Sequence, residues 1–368
     1  MKSKEYWKQR AERDLAAAEK QALEYEKDLR EAYERAMAKI EKEINSFYGK
    51  YAKDLGISYA EARRMLDRSE LKSFRQAAKE YYEMSIEQGL DIDYQKALKG
   101  LSGKAYISRL DEIILNIRHQ LELLNKEKTD KMESTLKKVY EDTYNHTAYA
   151  IETGMGVQAN FTRLDTNAIQ TAVKQKWLGE NYSDRCWNDK TRLLGTLNQV
   201  IPQSFIRGLN SRELAKIVQK EMNTSFYRAQ RLVRTEVNHV ANQASLKMYQ
   251  DSGLVDRYEY LATLDMRTSE ICSELDGQVF DLKDAQVGVN LPPLHPHCRS
   301  TTIPYFEDNE ITTRIERNDA GKSVPIPADM TYKEWENYRS SRANEPDISN
   351  TMQNIAKMTG QKLEGFDF

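Results

Sequence analysis

Two cysteines and a histidine in the second half of the chain are the residues best suited to chemistry. Cys272 is followed, further along, by His295 and Cys298. Thiolate sulfur and imidazole nitrogen are the ligands that zinc prefers, so these three would supply all but one ligand of a tetrahedral site. His297 or Asp276 would have to be the fourth. A reversible Cys272–Cys298 disulfide is an alternative, and buried thiols beside a hydrogen-bonded histidine are the simplest interpretation.

An arginine and a glutamate upstream, Arg234 and Glu236, raise the question of a catalytic pair. Such a pair near a small sheet would suit an ADP-ribosyltransferase-like or nuclease site. Residues two apart on a helix do not share a face, however, so the two side chains should not converge on one substrate. An ion pair from Glu236 to Arg267 or Arg299 is the simpler prediction. Since the sequence also contains no HExxH, P-loop, GxSxG or GxGxxG pattern, we predict that the protein is not an enzyme.

Basic residues at positions 212, 216 and 220 form the most regular positive pattern. Arg212, Lys216 and Lys220 would lie on roughly one side of a helix and could contact DNA phosphates. A solvated surface face is the alternative, and the one we favour. The formal net charge of −2 excludes a protein that is uniformly coated in positive charge for nucleic acid.

The composition describes an ordinary globular chain. Its 368 residues, 39% of them hydrophobic, are enough for two domains and a tail. No run approaches the roughly 18 apolar residues of a membrane span, so we expect no membrane contact. The first residues lack the apolar core of a secretory signal, and three cysteines do not make a disulfide framework. We therefore expect the protein to be made in the reducing cytosol.

The elements that would position these residues are mostly helices. All eight prolines lie at position 202 or later, and proline disrupts helices. Across the first fifty residues apolar side chains recur at steps of three or four, which predicts one long amphipathic helix. We expect its stripe to face the core, with a partner-binding arm as the alternative. The stripe comprises Trp7, Ala11, Leu15, Ala18, Ala22, Tyr25, Leu29, Tyr33, Ala36, Ile40, Ile44 and Phe47.

The remaining patterns predict a predominantly helical α+β fold. A helix should begin beside the capping-box serine Ser58, and another should be capped by Ser211 and followed by a separate helix over 225–249. Strands are expected near 257–262, 278–280 and 299–305, forming a small antiparallel sheet on a helical platform. We divide the chain into a helical N-terminal domain with long helices (1–160), an α+β domain (161–309) and an extended polar C-terminal tail (310–368) with one short helix at 331–338.

A dense group of polar residues links the predicted strands. Thr268 is predicted to cap a short helix over 269–275, and Gly277 to end it with the positive φ that glycine tolerates. The full group comprises Asp265, Arg267, Thr268, Ser269, Asp276, Gly277 and Arg299, with Arg234 and Glu236 upstream.

Together these residues resemble the signature of the phage head morphogenesis family that is named after protein F of phage Mu. The signature is an Asp-x-Arg-Thr-Ser-x-x-Cys turn, an Asp-Gly pair, and a Pro-Pro-x-His-x-x-Cys-Arg-Ser segment, all present in order between 265 and 300. The resemblance covers about residues 165–305. Some members carry extra cysteines where this chain has Ser269 and Ser300, which weakens the zinc hypothesis here.

The resemblance implies a minor capsid protein of a tailed phage. Such a protein would be present in few copies, bind the portal protein and a major capsid or scaffold protein, and reside in the phage head after assembly in the host cytoplasm. Contact with double-stranded DNA, and ejection together with it, are further implications. The alternatives are a DNA-binding accessory protein of packaging or ejection and, further away, a toxin-like nuclease or an ADP-ribosyltransferase-related enzyme. Apart from zinc, no cofactor is expected.

Overall fold

The computed structural model describes residues 3–51, 57–156, 164, 166–307, 313–317 and 323–327. Within these ranges the helices are α1 (Lys4–Tyr51), α2 (Tyr59–Ala62), α3 (Arg68–Glu87), α4 (Ile92–Ser102), α5 (Arg109–Met155), α6 (Thr166–Lys174), α7 (Tyr182–Ile206), α8 (Ser211–Ser252) and α9 (Glu270–Leu275). The strands are β1 (Arg257–Leu261), β2 (Val279–Asp281), β3 (Thr301–Tyr305), β4 (Thr313–Arg317) and β5 (Ser323–Pro327). The predominantly helical α+β class is confirmed. None of the described helices has the length and apolar character needed to cross a membrane.

Helix α1 is the continuous helix that the apolar spacing predicts. Ten of its twelve stripe residues are buried, and Ala11 and Leu15 are half-buried. The stripe packs against α5 and α8, and buried hydroxyls add hydrogen bonds across the interface. The Tyr25 hydroxyl donates to the carbonyl of Lys128 on α5 at 2.7 Å, and Tyr33 lies 2.8 Å from the hydroxyl of Ser225 on α8. The stripe therefore belongs to the core of the chain's own fold.

Helix α8 differs from the prediction at two points. It is one helix of 42 residues, so the predicted division before residue 225 is wrong. Met222 and Phe226 are buried on its inner side, and the Thr224 hydroxyl bonds back to the carbonyl of Lys220, so the polar stretch is accommodated within the helix. The cap is Asn210 rather than Ser211, in a reciprocal capping box with Glu213. The capping box predicted at Ser58 is confirmed, although α2 has only four residues.

The three strands predicted before residue 306 form one antiparallel sheet in the order β2-β1-β3. The side chains of Tyr258, Tyr260 and Ile303 are buried within it. Helix α8 is fastened to β3 at its far end, where the Tyr249 hydroxyl donates to the Thr302 carbonyl at 3.1 Å. The sheet is thus held against the helical bundle, and it places the loops that carry the candidate ligands.

The structure leaves the predicted boundary at residue 160 untested and adds two strands to the predicted tail. One apolar core runs from Trp7 through α5 and α8 to Ile303, and the boundary at residue 160 stays a prediction. Within the predicted tail, β4 and β5 form an antiparallel hairpin that the sequence patterns did not indicate, and β4 lies near α1. The short helix predicted at 331–338 lies outside the described residues.

Candidate functional site

The fold brings Cys272, His295 and Cys298 into one cluster. Cys272 lies on α9, whereas His295 and Cys298 lie on the loop that precedes β3. The two sulfur atoms are 3.7 Å apart, and Nε2 of His295 is 3.2 Å from the Cys272 sulfur. Both cysteines are buried and His295 is half-buried. The predicted fourth ligands are elsewhere: Asp276 accepts the backbone N–H of Ala262 at 2.8 Å, and neither Asp276 nor His297 has a ligand atom within the group.

The cap of α9 positions Cys272 and is shifted by one residue from the prediction. Ser269 caps the helix, because its hydroxyl accepts the backbone N–H of Cys272 at 3.3 Å. Thr268 does not cap, since its hydroxyl donates to the carbonyl of Thr263 instead. Gly277 follows the helix with φ of +79°, as predicted. Ser269 therefore has two roles, because its hydroxyl also lies 2.8 Å from Nε2 of His295.

The two thiols of the cluster differ in pKa. A hydrogen bond from Cys272 lowers the pKa of Cys298 to about 6, although burial opposes this. The same contact, together with burial, raises the pKa of Cys272. Burial also raises the pKa of Tyr260, whose hydroxyl donates to the Cys272 sulfur at 3.2 Å. The cluster thus favours one thiolate, on Cys298, solvated by neighbouring donors.

An ion pair between Asp265 and Arg299 fixes the loop beside the cluster. The Arg299 guanidinium makes two hydrogen bonds to the carboxylate, one of them at 2.7 Å, and the backbone N–H of Arg267 donates to it at 2.9 Å. Burial alone would raise the pKa of Asp265, but these hydrogen bonds lower it to about 2. The aspartate of the Asp-x-Arg turn and the arginine of the Cys-Arg-Ser segment therefore form a structural clamp between the β1–α9 turn and the residues just before β3.

Arg234 and Glu236 diverge, as their spacing predicts, but the predicted partners of Glu236 are wrong. Glu236 pairs with Arg185 on α7 and accepts the indole N–H of Trp177 at 3.1 Å, rather than binding Arg267 or Arg299. Arg234 pairs with Glu26 on α1. Burial raises the pKa of Glu236, and Arg185 opposes that rise. The ion pair between Glu236 and Arg185 is therefore a buried contact between α8 and α7.

Sequence patterns missed the role of Trp177 and His239. The two rings stack with centroids 4.5 Å apart, and burial lowers the pKa of His239 to about 3, so this histidine is neutral. Trp177 and Arg185 line a cleft of about 730 Å³ whose far wall includes His295. The one available signal was the position of Trp177 just before a glycine turn, which does not identify a partner.

Arg212, Lys216 and Lys220 are all exposed on the first part of α8. They follow one another at intervals of one helical turn, as expected, and they are remote in sequence from the cysteine–histidine cluster. This arrangement is compatible with binding to a flat anionic partner and equally with a face that contacts only solvent.

Comparison with known proteins shows that the segment containing this site is similar to a known protein family. Residues 195–303 match the family of phage Mu protein F like proteins. Over 335 residues the chain is 23% identical to the minor head protein GP7 of Bacillus phage SPP1, which covers 86% of this chain and 93% of that protein. These two matches support a place for the chain in a phage minor head protein family. Every signature residue, including the cluster and the Asp265–Arg299 clamp, lies inside the segment 195–303 that matches the family.

Two further relatives match shorter shares of their own length. An NAD(+)–arginine ADP-ribosyltransferase EFV of Enterococcus faecalis is 23% identical over 268 residues, which cover 66% of this chain and 54% of that protein. An uncharacterized protein of Haemophilus influenzae is 24% identical over 121 residues, which cover 33% of this chain and 27% of that protein. The chain thus spans about half the length of the transferase. No solved structure matches this chain.

Proposed function

We propose that this protein is a minor structural component of the phage head, present in few copies, that assembles with the portal protein at the head interior. The supporting observation is the similarity to SPP1 GP7 over nearly the whole of both chains. The fold suits such a role, because three long helices, α1, α5 and α8, form one extended packed body. A rigid body of this kind presents long surfaces to a larger assembly. Ejection together with the DNA is part of the proposal.

Purified phage heads test this proposal directly. We expect mass spectrometry to detect the chain in heads at far fewer copies than the major capsid protein, and we expect co-expressed portal protein to co-purify with it. The major capsid protein is the positive control for detection, and co-expression with an unrelated phage tail protein is the control for specificity. Absence from heads together with no portal binding would contradict the proposal.

We also propose that the chain does not catalyse a reaction. Glu236, the residue most suited to a transferase or nuclease role, is 2% exposed and occupied by Arg185 and Trp177. A general base or a charge-stabilising carboxylate must reach substrate within hydrogen-bond distance, and both oxygens of this one, at the edge of the 730 Å³ cleft, are already bonded to Arg185 and Trp177. The transferase named among the relatives is matched over about half its length, so its activity need not reside in the matched half. We expect no NAD or nucleic-acid turnover; turnover lost in Glu236→Gln would establish an enzyme.

Contact with DNA phosphates is proposed for the basic face of α8. Arg212, Lys216 and Lys220 are exposed, and each phosphate contact should contribute about 0.9 to the slope of log affinity against log salt concentration. We expect the double variant Arg212→Glu/Lys216→Glu to reduce this slope by about 2 on duplex DNA. The matched control, Lys72→Glu/Lys79→Glu, makes the same charge change on exposed positions of α3. Equal losses from both variants would show a nonspecific charge effect.

A further inference from the structure

We propose that Cys272, His295 and Cys298 bind one zinc ion and that a water molecule completes its tetrahedral shell. With zinc–sulfur bonds of about 2.3 Å, two thiolates of a tetrahedral site lie about 3.8 Å apart. The observed separation is 3.7 Å, and the three ligand atoms all lie within 4.8 Å of one another. The three ligand atoms are therefore already spaced about as one such ion requires.

The hydrogen bonds of His295 prepare its ring for a metal. Nδ1 lies 2.8 Å from the carbonyl oxygen of Pro296, which can only accept, so the Nδ1 atom must carry the hydrogen. In the neutral ring Nε2 is then unprotonated, and this is the atom that faces the Cys272 sulfur at 3.2 Å. A carbonyl that fixes the tautomer in this way is the usual outer partner of a zinc-binding histidine.

The loop between the two later ligands has an unusual backbone conformation. His297 adopts φ of +62°, a region that residues other than glycine rarely occupy. This turn lets the backbone N–H of Cys298 donate to the carbonyl of His295 at 3.2 Å and directs both side chains to one point. Backbone conformations of this kind are retained where the surrounding structure requires them, often at binding sites.

The remaining hypotheses for the cluster account for less of this arrangement. A disulfide requires sulfur atoms about 2.05 Å apart, whereas these are 3.7 Å apart. Buried thiols beside a hydrogen-bonded histidine explain the contact of Nε2 with the Ser269 hydroxyl at 2.8 Å, but they do not require two sulfur atoms and a ring nitrogen to gather within 4.8 Å. His295 also borders two surface clefts, of about 730 and 650 Å³, so an ion and its water can reach the site.

The ligand set indicates the metal and its consequence. Two thiolates with one imidazole favour zinc over the harder divalent cations, because magnesium and calcium prefer oxygen. Binding would hold both sulfur atoms as thiolates and join α9 to the loop before β3. We therefore expect zinc to stabilise this sheet region against unfolding.

The full-length chain tests the proposal without reference to any head assembly assay. After dialysis against buffered zinc we expect about one equivalent by mass spectrometry of the metal, and a thermal midpoint that falls in chelator and recovers with zinc. Cobalt substitution should give thiolate-to-metal charge-transfer absorption. His295→Gln should weaken zinc binding at least about tenfold, whereas His146→Gln, at an exposed histidine on α5, should not.

Cysteine variants give a second comparison. Cys298→Ala should abolish the cobalt absorption, whereas Cys186→Ala removes a buried thiol of α7 outside the cluster and should retain it. If the Cys298 variant does not fold, the cobalt spectra of the wild type and of His295→Gln decide. Less than about 0.1 equivalent of zinc with an unchanged midpoint in chelator, or equal binding in the two histidine variants, would overturn the proposal.

Discussion

Replacing Gly154 by alanine should destabilise the protein, although alanine favours helices. Gly154 lies in the last turn of α5, where a methyl group would meet two ring carbons of Trp7 at 2.3 and 2.4 Å and a ring carbon of Tyr6 at 3.0 Å. Trp7 is 2% exposed, and its ring also contacts Phe306 at a ring-centroid distance of 5.5 Å. The indole therefore has little room to move aside.

Two opposing effects set the magnitude. Forcing an extra methyl into a packed core costs about 1–3 kcal/mol. Replacing glycine by alanine in a helix stabilises it by up to about 1 kcal/mol, and less near the end of the helix. We therefore expect Gly154→Ala to lower the free energy of unfolding by about 1–2 kcal/mol. The predicted decrease in the free energy of unfolding depends on the N-terminal end of α1, which carries Trp7, being packed in the core.

The matched control is Gly195→Ala on α7, where an added methyl meets no atom within 4 Å. That variant should raise the free energy of unfolding by about 0.5–1 kcal/mol. Urea unfolding followed by circular dichroism measures both, with the slope against urea compared to confirm an unchanged transition. Trp7→Leu combined with Gly154→Ala should cost less than the sum of the single variants, because the smaller side chain makes room. Stabilisation by both glycine variants would refute the packing of α1 described above.

Two predictions concern the ion pairs. The Asp265 pKa of about 2 lies below its ordinary value of 3.8, so the carboxylate stabilises the fold fully above about pH 5 and loses this effect as the pH falls toward 2. Solvent screens the pair in part, so Asp265→Asn should lower the free energy of unfolding by about 1–2 kcal/mol at pH 7 and by about half of that at pH 3. Urea unfolding at the two pH values measures both losses. A loss that does not change with pH, or an equal loss in the control Asp256→Asn at an exposed position, would contradict this. Arg185→Met leaves the buried Glu236 without its partner charge and should cost about 3–5 kcal/mol. Glu236→Gln, which keeps an acceptor for the indole donor, should cost less than half as much in the same assay, and equal costs would contradict the buried-charge argument.

Local patterns were sufficient where one helix or strand determines the outcome. The spacing from Trp7 to Phe47 predicted both the length of α1 and its buried side, because a 3.6-residue repeat fixes which side chains share a face. Alternation and β-branched residues located β1, β2 and β3 to within a few residues. The zinc and disulfide hypotheses both require Cys272 and Cys298 to lie close together, and their sulfur atoms are 3.7 Å apart.

Local patterns failed where the choice depends on a distant neighbour. Glu26 and Arg234 are 208 positions apart, and nothing in either helix specifies that pairing. Thr268 and Ser269 are equally good caps in sequence; the structure distinguishes them because the Thr263 carbonyl takes the hydroxyl of Thr268. In both cases the missed partner of a polar group is set by tertiary packing.

The three consecutive residues Arg234, Thr235 and Glu236 show why such a motif need not be catalytic. Successive residues of a helix point about 100° apart, and here each one secures a different segment. Arg234 reaches Glu26 on α1, the Thr235 hydroxyl accepts the backbone N–H of His297 at 3.2 Å, and Glu236 reaches α7. Catalysis needs side chains that converge on one substrate, whereas these diverge from the central helix α8. Helix α8 lies between α1, α7 and the loop that carries His295 and Cys298, and each of the three residues contacts a different one of these neighbours.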